Sequence, residues 1–348
     1  MAGGHRFLGR SLRSLAGTVA VGRLVTRMDG RRPDPAASDH LGAVRGEPRM
    51  IRGPRASRLY TEWFPSTTGR RGTIVFTHGL CLTEAVWHYQ KRYLAGNGFA
   101  VVTWDLPGHG HSDPIAPAEL TQDLLTEALA RVVDEYADDT GVIHVGHSLG
   151  GVVTLNYLAR NPVSAESARG AVLVSTPMQH FANAVAGRWP GAGLEAKALG
   201  RVLQFAVESS VVERFLARDV GSSTSGVSYR VIRVGFGRNA SPTQIRFIRD
   251  VIASVPPKVR AAAYRLLTGY DIRPLLPDIK VPALVMIGKR DRLVDPSESE
   301  TLASHLPNAK TLVLDDAGHA AFMEVPNRFN EIVRTFAERH LAARRHSA

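Results

Sequence analysis

The stretch VIHVGHSLGG, residues 142–151, places the pattern G-x-S-x-G between an apolar run and a segment of helical character. Residues 142–145 suit a buried strand, and residues 149–160 have the length and composition of a helix. In a strand–turn–helix setting this pattern predicts a sharp turn that exposes the serine hydroxyl on a strained backbone. Gly146 and Gly150 suit that turn because a Cβ at either position would collide with neighbouring backbone. The stretch therefore makes Ser148 the candidate nucleophile.

Short runs rich in β-branched residues recur on both sides of this stretch, and such runs suit strands buried on both faces of a parallel sheet. Such runs predict strands at residues 73–77, 100–104, 142–145, 171–175, 283–287 and 311–314. Two extended stretches at residues 49–52 and 58–64, separated by the turn signal Gly53-Pro54, are the other predicted strands. Helix-length segments, such as residues 120–136 and 149–160, lie between most of them. This alternation predicts an α/β fold with a doubly wound, mostly parallel sheet.

One interval departs from the alternation. About a hundred residues between 175 and 282 contain no clear core strand, which is too long for a single loop. Helix-like pieces occur there at residues 196–209, 211–218, 242–253 and 258–267. The sequence thus predicts a helical cap over residues 177–272, inserted into an α/β core made of residues 48–176 and 273–348.

The N-terminal residues 1–47 are expected to be a basic extension and a linker. Residues 1–60 hold twelve arginines and four acidic residues, so most of the chain's net charge of +11 lies there. The rest of the chain gives no indication of a nucleic-acid partner. Apolar residues at helical spacing within residues 6–28, flanked by arginines, predict peripheral membrane contact through an amphipathic helix. A helix packed on the body and a frayed extension are the alternatives.

Targeting and redox features are sparse. The uncharged run at residues 14–22 is too short to span a bilayer and lacks a convincing signal-peptide cleavage site. We therefore expect a cytoplasmic protein that can associate with membranes. The single cysteine, Cys81, excludes an internal disulfide and a cysteine-rich zinc site.

A serine hydroxyl needs a base to remove its proton, and two later strand ends supply candidates. Asp291 follows the predicted strand 283–287, and His319 follows the strand 311–314. Because the carboxyl ends of parallel strands share one edge of the sheet, both side chains are expected to meet Ser148 there. His319 would take the serine proton, and Asp291 would orient the imidazole ring.

Other carboxylates could fill the acid's place. Asp295 is the rival to Asp291, one loop turn further along the chain. Asp315 and Asp316 lie too close to His319 in sequence to orient its ring.

The tetrahedral intermediate of acyl transfer also needs N–H donors for its oxyanion. The backbone N–H of Leu149 directly follows the nucleophile, and Leu80 lies in the loop after the strand 73–77. We expect these two N–H groups to form the oxyanion hole. No cofactor is expected, and His109 and His111 lack the further ligands that a metal site requires.

Five motifs occur in order along residues 50–343, namely His78-Gly79, DLPGHGHS at 105–112, GHSLGG at 146–151, GKRD at 288–291 and Gly318-His319 with Glu324 and Pro326. In this order they resemble the α/β-hydrolase family, in its esterase, lipase and C–C-bond hydrolase branch with a helical cap. Serine at position 148 argues against the dehalogenase and epoxide-hydrolase branches, which use aspartate there, and against the dienelactone hydrolases, which use cysteine. Residues 1–47 fall outside the resemblance.

The resemblance and the three candidate residues imply a serine hydrolase that cleaves a carboxylic ester, with a small-molecule substrate of apolar, lipid-like character. A thioesterase, an acyltransferase, a cofactor-free perhydrolase or a C–C-bond hydrolase would use the same residues. A ligand-binding protein that keeps the fold without turnover is the alternative from another class. The sequence does not indicate an oligomeric state.

Overall fold

The computed structural model describes residues 33–161, 164–178, 226–238 and 240–342. Eight strands form one sheet in the order β1-β2-β4-β3-β5-β6-β7-β8. Their bounds are β1 Glu47–Arg52, β2 Arg58–Phe64, β3 Thr73–Thr77, β4 Ala100–Trp104, β5 Val142–His147, β6 Ala168–Val174, β7 Ala283–Gly288 and β8 Ala309–Leu314. Strand β2 pairs antiparallel with β1 and β4, and all other pairs are parallel. The predicted doubly wound, mostly parallel sheet is confirmed.

Nine α-helices occur in the described residues. Their bounds are α1 His88–Gly96, α2 Gln122–Tyr136, α3 Leu149–Arg160, α4 Gly226–Gly235, α5 Pro242–Ser254, α6 Pro257–Thr268, α7 Pro296–His305, α8 Ala321–Glu324 and α9 Pro326–Ala342. Helix α3 has the predicted bounds, whereas α2 begins two residues later than predicted because the side chain of Thr121 accepts the N–H of Leu124 and caps it.

The central strands are buried on both faces, as their continuous apolar runs predict. In β3, Ile74 and Phe76 pack into one apolar cluster with helices α1 and α9, and Val75 packs into the other with α2 and α3. This alternation follows from the two-residue period of a strand. The two clusters hold the sheet fixed, so that the loops at its carboxyl edge have a rigid base.

Helices α4, α5 and α6 lie between β6 and β7, and no strand occurs in the described part of that interval. The predicted helix 242–253 corresponds to α5, and the predicted helix 258–267 corresponds to α6. The predicted helices 196–209 and 211–218, like the N-terminal segment 6–28, lie outside the described residues. Residue 175, predicted as the last of its strand, is instead a turn residue with φ +48°.

Part of the expected N-terminal linker, residues 33–46, lies against the body. Asp34 Oδ2 accepts the backbone N–H of Thr243 at 3.1 Å and its hydroxyl at 2.8 Å, at the start of α5. The N–H of Gly42 donates to His88 Nδ1 at 3.2 Å. These side-chain contacts join residues far apart in the chain, so local composition could not indicate them.

A buried group of charges fixes α1 to the sheet. The ammonium group of Lys91 is buried and donates to Glu62 at 2.9 Å and to Glu84. The half-exposed Arg45 bonds the same two carboxylates at 3.0 and 2.7 Å. Opposite charges therefore compensate each buried carboxylate.

We expect Lys91→Met to lower the free energy of unfolding by about 3–5 kcal/mol, because it leaves Glu62 and Glu84 buried with Arg45 as their remaining cation. Urea denaturation followed by circular dichroism measures this change. Arg131→Met is the control, since its pair with Glu127 is exposed and should contribute at most about 1 kcal/mol. Equal stability of the two variants would contradict the role assigned to Lys91.

Candidate active site

The turn between β5 and α3 places Ser148 in a conformation that residues with a Cβ rarely adopt. Its φ is +51° and its ψ is −117°, and its N–H donates to the carbonyl of Val174 at 2.9 Å. A Cβ at Gly150 would lie 2.2 Å from the oxygen of Thr77, and one at Gly146 would lie 2.6 Å from the oxygen of Gly150. The two glycines thus permit the close backbone packing that holds the serine at the carboxyl edge of the sheet.

Asp291 and His319 meet at the same edge. The Nδ1–H of His319 donates to Asp291 Oδ2 at 2.8 Å. The other carboxylate oxygen accepts the N–H groups of Leu293 and Val294 at 2.8 and 3.0 Å. Asp291 is buried, so its orientation is fixed by protein groups. This arrangement leaves Nε2 of His319 as the ring atom that can accept a proton.

The other acidic candidates have different partners. Asp295 Oδ1 accepts the N–H and the hydroxyl of Ser297 at 2.9 and 2.7 Å and so caps helix α7. Asp315 pairs with Lys289 at the surface, at 2.8 Å. Of these carboxylates, Asp291 is the one that contacts the imidazole ring.

His147 connects the turn at Ser148 (the serine turn) to the loop of residues 315–320 that carries His319 (the histidine loop), a role that its place in the sequence did not indicate. Its Nε2–H donates to the carbonyl of His319 at 3.0 Å, and the two rings lie 4.7 Å apart. Burial, followed by the neighbouring His319, holds the pKa of His147 well below its usual value. The ring is therefore a neutral donor that brings the backbone of His319 beside Ser148. Within the described residues no hydrogen bond joins Ser148 Oγ to the His319 ring.

The two predicted oxyanion donors also lie at this edge. Leu149 is the first residue of α3, where helix N–H groups lack intrahelical partners. Leu80 lies in a turn closed by the N–H of Leu82 and the oxygen of Gly79 at 3.2 Å, with Cys81 at φ +55°. Neither the Leu80 nor the Leu149 N–H donates to another described residue. Both N–H groups are thus available to a ligand oxygen.

Buried groups next to this loop hold its shape. Nε2 of His78 accepts the N–H of Leu106 at 3.0 Å, and its Nδ1–H donates to the oxygen of Gly79 at 2.9 Å. Burial, together with the nearby His109, lowers the pKa of His78 to about 3, so the ring stays neutral. Asp105 accepts the N–H groups of Glu84 and His111, each at 2.8 Å.

The chain is similar in sequence and in fold to known hydrolases and esterases. Residues 72–326 match the family model described as alpha/beta hydrolase fold. The pimeloyl-[acyl-carrier protein] methyl ester esterase of Stenotrophomonas maltophilia is 32% identical over 74% of this chain and 89% of its own length. The enzyme of the same name from Aeromonas hydrophila is 27% identical over 77% of this chain and 96% of its own length. A thermophilic esterase from Thermogutta terrifontis superposes with a TM-score of 0.65 at 25% identity, covering 84% of this chain and 99% of that one.

The raised pKa of the buried Asp105 carboxyl predicts that the stability of the protein depends on pH. Burial and then the charge of Glu84 raise its pKa to about 7, from an ordinary value of 3.8. Between these two values the folded protein keeps a proton that the unfolded chain releases, so stability should fall as the pH rises. We expect Asp105→Asn to remove this loss, about 2 kcal/mol between pH 5 and 7.

Urea denaturation of the wild type and the variant at pH 5, 6, 7 and 8 measures the difference in slope. Asp113→Asn is the control, because hydrogen bonds from Arg58 lower the pKa of Asp113 and keep it ionised throughout that range. Parallel curves for the wild type and Asp105→Asn would show that Asp105 does not titrate near neutral pH.

Proposed function

The chain belongs to the alpha/beta hydrolase fold family, and from that premise we propose that it hydrolyses a carboxylic ester through an acyl-enzyme on Ser148. The sequence-based prediction of a hydrolase that acts on ester bonds is confirmed by the esterases among its relatives. The observation that carries the proposed mechanism is the 2.8 Å contact between His319 Nδ1 and Asp291 Oδ2 beside the serine turn.

In this mechanism Asp291 keeps the proton of His319 on Nδ1, so that Nε2 takes the proton of Ser148 Oγ as this oxygen attacks the ester carbonyl. A rotation of the serine side chain towards the ring forms their hydrogen bond when substrate binds, since such bonds are often long or absent without substrate. The N–H groups of Leu80 and Leu149 stabilise the negative charge on the carbonyl oxygen. His319 then protonates the departing alkoxide, and a water molecule activated by the same ring releases the acid.

We propose that residues 177–272 form a cap over this site and that the substrate has an apolar acyl part. The described end of α4 supports the first point, because the oxygen of Gly235 accepts the N–H of His319 at 2.7 Å. The relatives named as methyl ester esterases support a small alcohol as the leaving group. Methyl and p-nitrophenyl esters with acyl chains of two to sixteen carbons are therefore the first substrates to compare.

Ser148→Ala should lose about 10⁴-fold or more in kcat on any accepted ester and should no longer react with a fluorophosphonate probe. Mass spectrometry of the labelled wild-type protein should place the adduct on Ser148. A wild type that neither turns over an ester nor reacts with the probe would favour a ligand-binding protein of this fold. Activity retained in purified Ser148→Ala would exclude the acyl-enzyme.

Asp291→Asn should lower kcat by about 10⁴-fold, since the amide no longer selects the required form of the histidine ring. Asp295→Asn is the matched control: asparagine caps a helix about as well as aspartate, so this variant should keep the cap of α7 and leave kcat unchanged. A larger loss of kcat in Asp295→Asn than in Asp291→Asn would reverse the two roles.

We also propose that residues 6–28 bind anionic lipid surfaces. No helix in the described ranges has the length and apolar character needed to cross a bilayer. Deletion of residues 1–32 is the appropriate variant, because Asp34 and Gly42 make contacts with the body that a longer deletion would remove.

Full-length protein should co-sediment with vesicles of 30% phosphatidylserine, and the deletion variant should remain in the supernatant with its esterase activity intact. Binding should weaken at high salt, because lipid attraction to arginines is screened. Equal sedimentation of the two proteins would contradict the proposal.

A further inference from the structure

The carboxylate of Glu324 joins two parts of the chain that are distant in sequence. Its Oε1 accepts the N–H groups of Gly318 and Ala320 at 3.0 and 3.2 Å, on either side of His319. Its Oε2 accepts the N–H of Gly237 at 2.6 Å and is also 3.1 Å from that of Gly318. Gly237 follows helix α4, so a single buried side chain binds both the histidine loop and the residues that directly follow α4.

The two backbones also touch directly at this point. The N–H of His319 donates to the oxygen of Gly235 at 2.7 Å. A Cβ at Gly318 would lie 2.5 Å from the nitrogen of Gly237, and one at Gly237 would lie 2.7 Å from the oxygen of Asp316. There is no room for a side chain between the segments, so a displacement of one displaces the other.

The segment after α4 is held from a second direction. Nη1 of Arg233 donates to the oxygens of Phe236 and Gly237 at 3.0 and 2.9 Å. Arg233 thereby fixes the carbonyl groups of the segment, while Glu324 binds its N–H. These hydrogen bonds hold Phe236 and Gly237 in place where the histidine loop packs against them.

We propose that Glu324 is a positioning residue that fixes the catalytic base to residues 235–237, so that the place of His319 depends on the position of these residues. This inference rests on the proposed function of His319. Glu324 acts through the backbone of the loop, and none of its hydrogen bonds is to the imidazole ring.

The hydrogen bonds at position 324 require a carboxylate as the acceptor. Three N–H groups converge on Glu324, and an ionised carboxylate offers acceptors on both oxygens. An amide of the same size offers one oxygen and turns an N–H₂ group towards one of the three donors. Burial raises the pKa of Glu324 to about 7, against the opposing effect of these N–H groups, so the carboxylate form prevails at pH 8.

Glu324→Gln, assayed at pH 8, tests this inference. We expect kcat per active site to fall about 10- to 100-fold with KM for a small p-nitrophenyl ester nearly unchanged, because the base is misplaced rather than lost. The rate constant of fluorophosphonate labelling should fall by a similar factor, while the final extent of labelling stays near one per chain. Glu324→Asp, which keeps both acceptor oxygens, should recover part of the rate.

Glu331→Gln is the matched control, since that carboxylate lies on α9 at the surface and bonds Arg334 and Tyr93. It should leave both rate constants at their wild-type values. Arg233→Met perturbs the segment without touching Glu324, and we expect a decrease in kcat of about 3- to 10-fold.

Each outcome bears on the inference. A Glu324→Gln protein whose labelling extent falls while kcat per labelled site stays at the wild-type value would show that Glu324 serves folding alone and would overturn it. If Glu324→Gln does not fold, wild-type kcat in both Glu324→Asp and Arg233→Met would overturn it equally. Activity that survives Ser148→Ala would instead overturn the proposed function, which keeps the two failures distinct.

Discussion

The geometry of the candidate active site depends on the close backbone contact at the end of β5, where the chain turns from strand to helix at Ser148. Ser148 can keep a positive φ because Gly146 and Gly150 let the start of α3 approach the strand and the neighbouring end of β3. A side chain at either glycine would overlap backbone atoms, which cannot move without displacing the sheet. The free N–H groups at the start of α3 are a consequence of the same turn.

A second contact of this kind surrounds His319. Gly288, Gly318 and Gly237 bring three chain segments together, since a Cβ at any of them would overlap backbone atoms of another segment. The carboxylate of Glu324 accepts the N–H groups of Gly318 and Ala320, and the ring of His147 donates to the carbonyl of His319 between them. The position of His319 is thus fixed mainly through its backbone, and the hydrogen bond to Asp291 fixes the orientation of its ring.

The strands, the serine turn and the places of Asp291 and His319 could be predicted, because each depends on a short stretch of sequence. Six apolar runs and two extended stretches matched the eight strands of the sheet. The runs of the central strands were recognisable because strands buried on both faces are continuously apolar. The glycine spacing around Ser148 and the place of Asp291 and His319 just beyond strand ends indicated a shared edge. The preference for Asp291 over Asp295 rested on loop length alone, and the structure supplies the physical reason, because Asp295 caps a helix.

The sequence by itself determined the class of fold, the serine turn and the family, because these follow from periodicity and from glycines at fixed spacing. Only the tertiary structure decided that Glu324 binds the segment after α4, that His147 donates to the histidine loop, and that residues 33–46 pack on the body. Each of these is a hydrogen bond between residues distant in the chain. Such a bond leaves no periodic pattern in the sequence, since it depends on where two separately formed elements come to lie.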